Sequence, residues 1–215
     1  MLAIPPFRAY LFDVDGTLLD SAPDICGAVL SVLSSTSRPD VPIDLLQSYI
    51  GRHLTDLFSD LFPDATPEQI DAWIVEYRRV YPLRGHSNTK LYPEVAETLG
   101  KLGGLKTTAT TKGTVTAQNI LTQFGLAPHF QHIQGTDGFP SKPKPDVVHR
   151  AMEALGVRSK DCLLIGDSVP DMLAGKAAGV RVCAVSYGYG HADELRACQP
   201  DYWLDSFGGL ALGSL

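Results

Sequence analysis

The chain is short of cysteine, of excess basic charge and of long apolar runs. Only four cysteines stand among its 215 residues, Cys26, Cys162, Cys183 and Cys198. None forms a C-x-x-C pair and their spacing fits no zinc pattern. A disulfide scaffold is therefore excluded, and buried, reduced thiols in a cytoplasmic protein are expected. Lys and Arg number 18 against 24 Asp and Glu, for a net charge of −6. That balance excludes a broad nucleic-acid surface and disfavours anionic membranes. No run of about 18 apolar residues exists, so no membrane-spanning helix is expected. The first twelve residues hold Pro5, Pro6 and Arg8 and no apolar stretch, so no secretory leader is expected. Repeats and low-complexity tracts are missing too. What remains is an ordinary globular composition, 44% hydrophobic and 20% charged. At about 150 residues per domain, this is one large or two small domains.

Short apolar segments bounded by turn residues recur along the chain and read as buried strands. The first is Ala9-Tyr10-Leu11-Phe12; others lie at 107–109, 132–134, 162–165 and 180–185, with a weaker one at 202–204. Helical patterns lie between them. Val95, Leu99 and Leu102 share one face, as do Val148, Ala151, Met152 and Leu155, while Val115, Ile120 and Phe124 follow a looser pattern. Gly125, Gly156 and Gly179 are stop signals. Strands alternating with helices predict an α/β fold with a parallel sheet.

Residues 21–86 break the alternation: they carry helical patterns and no convincing strand. Ile25, Val29, Val32 and Leu33 make one apolar face, and Ile70, Trp73, Ile74 and Tyr77 another. Thr66-Pro67-Glu68-Gln69 is a helix start, with Thr as N-cap and Pro at the first position. An insertion after the first strand sits over the carboxyl ends of the strands, where open α/β sheets bind ligands. The expected division is a core of 1–20 and 87–215 and a helical cap of 21–86, with hinges near 20–23 and 83–88. Trp73 and Tyr77 are expected in the cap's interior, and Arg84 and His86 at the hinge and in solvent.

Four clusters fall at strand-to-helix junctions. Asp13-x-Asp15-Gly16-Thr17 follows the first strand; taken alone, such a pair also makes an ordinary turn. Thr110-Thr111-Lys112-Gly113 offers a hydroxyl and helix N-terminal amides to a phosphate, or simply a helix cap. Ser141-Lys142-Pro143-Lys144-Pro145 fixes two lysines ahead of a helix, or is a solvated basic loop. Gly166-Asp167-Ser168-Val169-Pro170-Asp171 puts a carboxylate just beyond a buried strand, which is costly without a cation or donors. Asp171 is expected to begin the next helix. In a doubly wound sheet all four clusters converge. Carboxylates gathered in this way repel one another unless a divalent cation binds, and oxygen-only ligands suit Mg²⁺.

This constellation resembles the haloacid dehalogenase-like hydrolase superfamily, specifically its phosphatases with a small helical cap. The resemblance implies a Rossmann-like core with the cap inserted after the first motif. It also implies an Mg²⁺-dependent phosphatase of small phosphate monoesters. By that resemblance Asp13 is the nucleophile that forms an aspartyl-phosphate, and Asp15 the general acid and base. Thr110 binds phosphate, with Thr111 beside it, and Lys142 steadies nucleophile and phosphate. Asp13, Asp167 and the Asp15 carbonyl bind the metal, and Asp171 reaches it through water.

Asp15 demotes dehalogenases and phosphonoacetaldehyde hydrolases, which lack an acid there. Gly166-Asp167-Ser168, Tyr92-Pro93-Glu94-Val95 and Tyr187-Gly188-Tyr189-Gly190 are similar to phosphoglycolate phosphatases. The β-phosphoglucomutase type has Glu where Gly166 stands, and the phosphatase subgroup commonly has Thr-Asn-Lys where this chain has Thr110-Thr111-Lys112. Gly51-Arg52-His53 resembles the cap loop that faces the active site. Arg52 there either pairs with a substrate carboxylate or is a surface arginine. His53 is expected at the surface, and Lys144 as a bystander. A phosphomutase or pyrophosphatase using the same site is the alternative, and a non-catalytic binding protein a third. The expected partner is a small phosphorylated metabolite, with no nucleic acid and no membrane.

Overall fold

The computed structural model describes residues 4–210. Residues 1–3 of the leader expectation, and 211–215 of the expected core, lie outside the described residues. The chain opens with β1 (Ala9–Phe12) and a short strand, β2 (Leu19–Asp20). Four helices follow, α1 (Ala22–Leu33), α2 (Ile43–Gln47), α3 (Leu54–Leu61) and α4 (Pro67–Leu83). β3 (Lys90–Leu91) then pairs antiparallel with β2, closing the helical segment off at its base. Beyond it come α5 (Val95–Lys101), β4 (Leu105–Thr108), α6 (Thr114–Gln123), α7 (Asp146–Leu155) and β5 (Cys162–Gly166). Then come α8 (Val169–Ala177), β6 (Arg181–Val185), α9 (Ala192–Ala197), β7 (Tyr202–Leu204) and a 3₁₀ turn over Phe207–Leu210.

β4, β1, β5, β6 and β7 form one parallel sheet in that order. Its central strands β1 and β5 are apolar without alternation because helices cover both faces. Side chains nonetheless alternate between two cores. Tyr10, Phe12, Leu163 and Ile165 enter one, and Ala9, Leu11, Cys162 and Leu164 the other. The four inserted helices carry a third apolar cluster of their own, with Val29, Leu33, Phe58 and Ile74 at its centre. Trp73 packs there, its ring 4.6 Å from Phe62 and 5.6 Å from Phe58. The Thr66–Gln69 capping box that starts α4 forms as expected.

β1 lies between β4 and β5, so the chain steps to one side of it and then to the other. That reversal opens a crevice at the carboxyl ends of the strands. Residues 13–17, 109–113 and 167–171 all leave the sheet there.

Four local expectations need correcting. Residues 132–134 are not a strand; His132 makes a single bridge to Thr107. The Thr108 hydroxyl donates to the Gln134 carbonyl and accepts from its N–H, so a side chain interrupts the backbone pairing, which keeps only Gln131 N to the Lys106 carbonyl and Thr110 N to the Gln134 carbonyl. Val115 is exposed rather than on the buried face of α6. α8 begins at Val169, because Ser168 and not Asp171 is its N-cap. His86 is buried, not in solvent, with its ring edge-on to Tyr81 at 5.1 Å.

Both connections to the helical segment are pinned by one buried carboxylate. Asp24, in the first turn of α1, accepts from Asn88 N at 2.9 Å and Thr89 Oγ1 at 2.9 Å, and faces Arg84 Nε at 3.4 Å. These donors hold its carboxyl below the usual range even though burial, the largest single influence, pushes the other way. Tyr189 fixes the other side: its hydroxyl accepts from Ser21 N and Ala22 N and donates to Asp20.

Candidate active site

The strand order brings five of the expected residues into one buried cluster. Asp13, Asp15, Lys142, Asp167 and Asp171 are each 5% exposed or less. Asp13 is set by β1, its N–H donating to the Ile165 carbonyl of β5. Lys142 Nζ lies 2.9 Å from Asp13 Oδ1 and donates to Asp171 Oδ1 at 2.5 Å. The other Asp171 oxygen accepts from Ser168 N, 3.0 Å away, and from the Ser168 hydroxyl. The same carboxylate thus caps α8 and anchors the lysine. Asp167 accepts from Thr17 Oγ1 at 3.2 Å and from Tyr189 N at 2.8 Å.

Asp15 turns away from this group. Its carboxylate meets Lys112 Nζ at 3.0 Å and accepts from the Ser21 hydroxyl. Lys112 in turn donates to the Tyr81 hydroxyl of α4 at 2.8 Å. The motif containing Lys112 was legible in the sequence, but its pairing with Asp15 was not. Nothing local signals it, since Tyr81 comes from the inserted helices. Tyr189 and Thr17 were likewise not expected to hold Asp167.

Thr110 is fully buried two residues beyond β4, and its hydroxyl accepts from Lys112 N at 3.3 Å. Ala109 N donates to the Phe12 carbonyl, so this turn lies beside Asp13. Thr111 is half-buried, and with Gly51 and Arg52 it lines a cavity of about 530 Å³ between the helical segment and the sheet edge. Asp15 and Lys112 also line it. Arg52 is exposed, its guanidinium 4.9 Å over the Tyr49 ring. His53 is more than a surface residue: its ring accepts from Thr55 N and caps α3. Lys144 is exposed and joins no ion pair among the described residues.

Electrostatically the cluster is unbalanced. Four carboxylates face two ammonium groups in a volume largely closed to water. Burial, reinforced by Asp171 and Asp15 against the pull of Lys142, pushes the Asp13 carboxyl up to about 7. Asp167 is pushed up by burial and by Asp171 and Asp13. Lys142 is held above its usual range, because Asp13 and Asp171 outweigh the burial that opposes its charge.

A divalent cation fits this arrangement. Asp13, Asp167 and Asp171 present carboxylate oxygens within 4.8 Å of one another. Both Asp13 oxygens are buried without a well-aligned hydrogen bond, the close ammonium of Lys142 notwithstanding. A side chain at Gly16, where φ is +81°, would overlap the Asp167 carboxylate, so glycine keeps the space beside these oxygens open. The donors are all oxygen, and the spare charge is negative; both suit Mg²⁺ better than a thiophilic metal.

A family model described as haloacid dehalogenase-like hydrolase matches residues 10–185. A phosphoglycolate phosphatase of Vibrio parahaemolyticus is 34% identical over 214 residues, covering 93% of this chain and 92% of that protein. One from Neisseria gonorrhoeae is 35% identical over 199 residues, covering 87% and 84%. Among solved structures, a predicted phosphatase from Clostridium acetobutylicum superposes with a TM-score of 0.89 at 30% identity, covering 96% of this chain and 97% of the other. A haloacid dehalogenase-like family protein from Streptococcus pneumoniae gives 0.87 at 26% identity, covering 97% of both.

Proposed function

The chain belongs to the haloacid dehalogenase-like hydrolase family, and from that premise we propose that it is an Mg²⁺-dependent phosphatase of small phosphate monoesters that works through an aspartyl-phosphate. The curated relatives are named phosphoglycolate phosphatases, which supports including that ester in the proposed substrate class. The observation that carries the proposal is the unbalanced, buried carboxylate cluster around Asp13. We assign residues 1–20 and 87–215 to the core and 21–86 to the cap.

Asp13 attacks phosphorus, and the bond from phosphorus to the ester oxygen breaks. Asp15 gives its proton to the departing alcohol. Water then attacks the same phosphorus, Asp15 takes a proton from it, and phosphate leaves with Asp13 restored. One acid thus serves both displacements. The Lys112 ammonium holds the Asp15 carboxylate toward the cavity where the alcohol sits. Thr110 and the backbone amides after it bind phosphate oxygens, with Thr111 at the edge of the alcohol's space. Lys142 orients Asp13 and offsets charge as it builds in the transition state. Mg²⁺, held by Asp13, Asp167 and the Asp15 carbonyl with Asp171 behind them, would neutralise the repulsion between carboxylate and phosphate dianion. A helical layer over the crevice excludes water and strengthens each of these interactions. The partner is a small phosphorylated molecule; no helix among the described residues is long and apolar enough to cross a membrane.

The test is phosphate release from a panel of monoesters, with Mg²⁺ or with EDTA, for wild type and Asp13→Asn. Metal-dependent release abolished in the variant is expected. Release that survives EDTA or Asp13→Asn would overturn the mechanism. No release without an added bisphosphate, and isomerised product with one, would mean a phosphomutase instead.

A further inference from the structure

We propose that the preferred substrate is the phosphate monoester of a bulky alcohol, one with an apolar body and a second anionic group, rather than a two-carbon ester such as phosphoglycolate. This specificity rests on the phosphatase function proposed above. Its basis is the cavity that opens onto Asp15, the residue assigned to protonate the departing alcohol.

The cavity holds about 530 Å³. That volume does not come from a gaping cap. Tyr81 of α4 accepts from Lys112 of the core, and a Cβ at Gly51 would stand 3.1 Å from Ser168 Oγ at the start of α8. The helical layer is seated on the sheet edge and the space persists. Asp13 does not line the cavity, while Asp15, Thr111, Lys112 and Gly113 do, so the phosphoryl group sits at its inner edge and the alcohol takes most of its room. Glycolate has five non-hydrogen atoms. At a water-like share of about 30 Å³ each it occupies roughly 150 Å³, under a third of the room. An alcohol of about a dozen heavy atoms suits a cavity of this size better.

The walls state the chemistry of that body. Ile25, Val29, Leu46, Leu54, Leu57 and Ile74 line the side built by the inserted helices. Buried apolar walls favour an apolar surface against them, and a lone carboxylate would lose its hydration there.

The charges state the other end. Besides Asp15, Asp137 is the acid on the wall, and it is engaged by Thr114, through the backbone N–H and the hydroxyl. Lys112 is spent on Asp15. Arg52 and Arg78 are different: both line the cavity, both are exposed, and neither joins an ion pair among the described residues. Two unpaired guanidinium groups at the rim suit a carboxylate or a second phosphate.

Three esters with primary-alcohol leaving groups test this: 4-(phosphonooxymethyl)benzoate, benzyl phosphate and 2-phosphoglycolate, each with Mg²⁺. We expect kcat/KM for the benzoate to exceed that for phosphoglycolate by about tenfold or more. The Arg52→Ala/Arg78→Ala double variant should cut the ratio of benzoate to benzyl phosphate by about fivefold or more. Leu54→Trp, which fills the cavity, should lower the benzoate more than phosphoglycolate. Preference for phosphoglycolate over both benzyl esters would overturn the proposal, as would a benzoate-to-benzyl ratio untouched by the double variant. Failure to hydrolyse any of the three, or any other monoester, would instead remove the phosphatase function on which the proposal stands.

Discussion

Replacing Asp13 with Asn should stabilise the metal-free protein, and the gain should depend on pH. Asp13 is 1% exposed, and its carboxyl is pushed up by burial to about 7, from an ordinary value of 3.8. A carboxyl raised in the folded state holds its proton after the unfolded chain has lost one. Stability therefore falls as pH rises from about 4 to about 7, and levels off above. Each unit in that window costs about 1.4 kcal/mol. Between pH 5 and pH 8 the contribution of Asp13 is about 2–3 kcal/mol, against the wild type at high pH. Asn has no charge to bury, so Asp13→Asn should lack this slope while other titrations, common to both proteins, subtract out. For a chain of this length 1 kcal/mol moves Tm by about 2–4 °C. In chelator the variant should thus melt above wild type at pH 8, and the gap should narrow by about 4–12 °C between pH 8 and pH 5 and close near pH 4. Scanning calorimetry across that range is the assay. Equal melting at pH 8, or a gap that does not change with pH, would refute the reasoning.

Lys142→Ala should do the reverse in chelator, losing about 3–5 kcal/mol in urea titrations, because Asp13 and Asp171 stay buried without their cation. Ser168→Ala should cost about 1–2 kcal/mol by the same assay, since it removes the N-cap of α8 and a donor to Asp171. Asp24→Ala should cost about 2–4 kcal/mol by stranding Arg84 and the donors of Asn88 and Thr89, and faster proteolysis within 83–89 would report the loosened connection.

The sheet and the reacting cluster could be read from the sequence for one physical reason. β1 and β5 are unbroken apolar runs that end in acids, a pattern expensive to bury unless those acids meet a cation. Their order along the chain, with Thr110 and Lys142 between, then follows from a doubly wound sheet. What escaped notice depends on distant contacts. β2 and β3 are two residues each, too short for a periodicity, and they exist because the helical segment must close at its base. Residues 132–134 look like a strand, yet the Thr108 hydroxyl takes both backbone groups of Gln134. His86 reads as a solvent residue at the end of a helix, but Tyr81 covers it. The contact between Lys112 and Asp15 is equally invisible, because α4 completes it from the other side of the cavity.

The most direct test of the central claim is to trap the covalent enzyme. Wild-type protein with Mg²⁺ and a ³²P-labelled monoester, quenched in acid within one turnover, should retain label that hydroxylamine releases, as an acyl phosphate does. Peptide mass spectrometry should place the phosphoryl group on Asp13, and Asp13→Asn should retain none. Turnover with no trapped label, or label on any residue other than Asp13, would contradict the account.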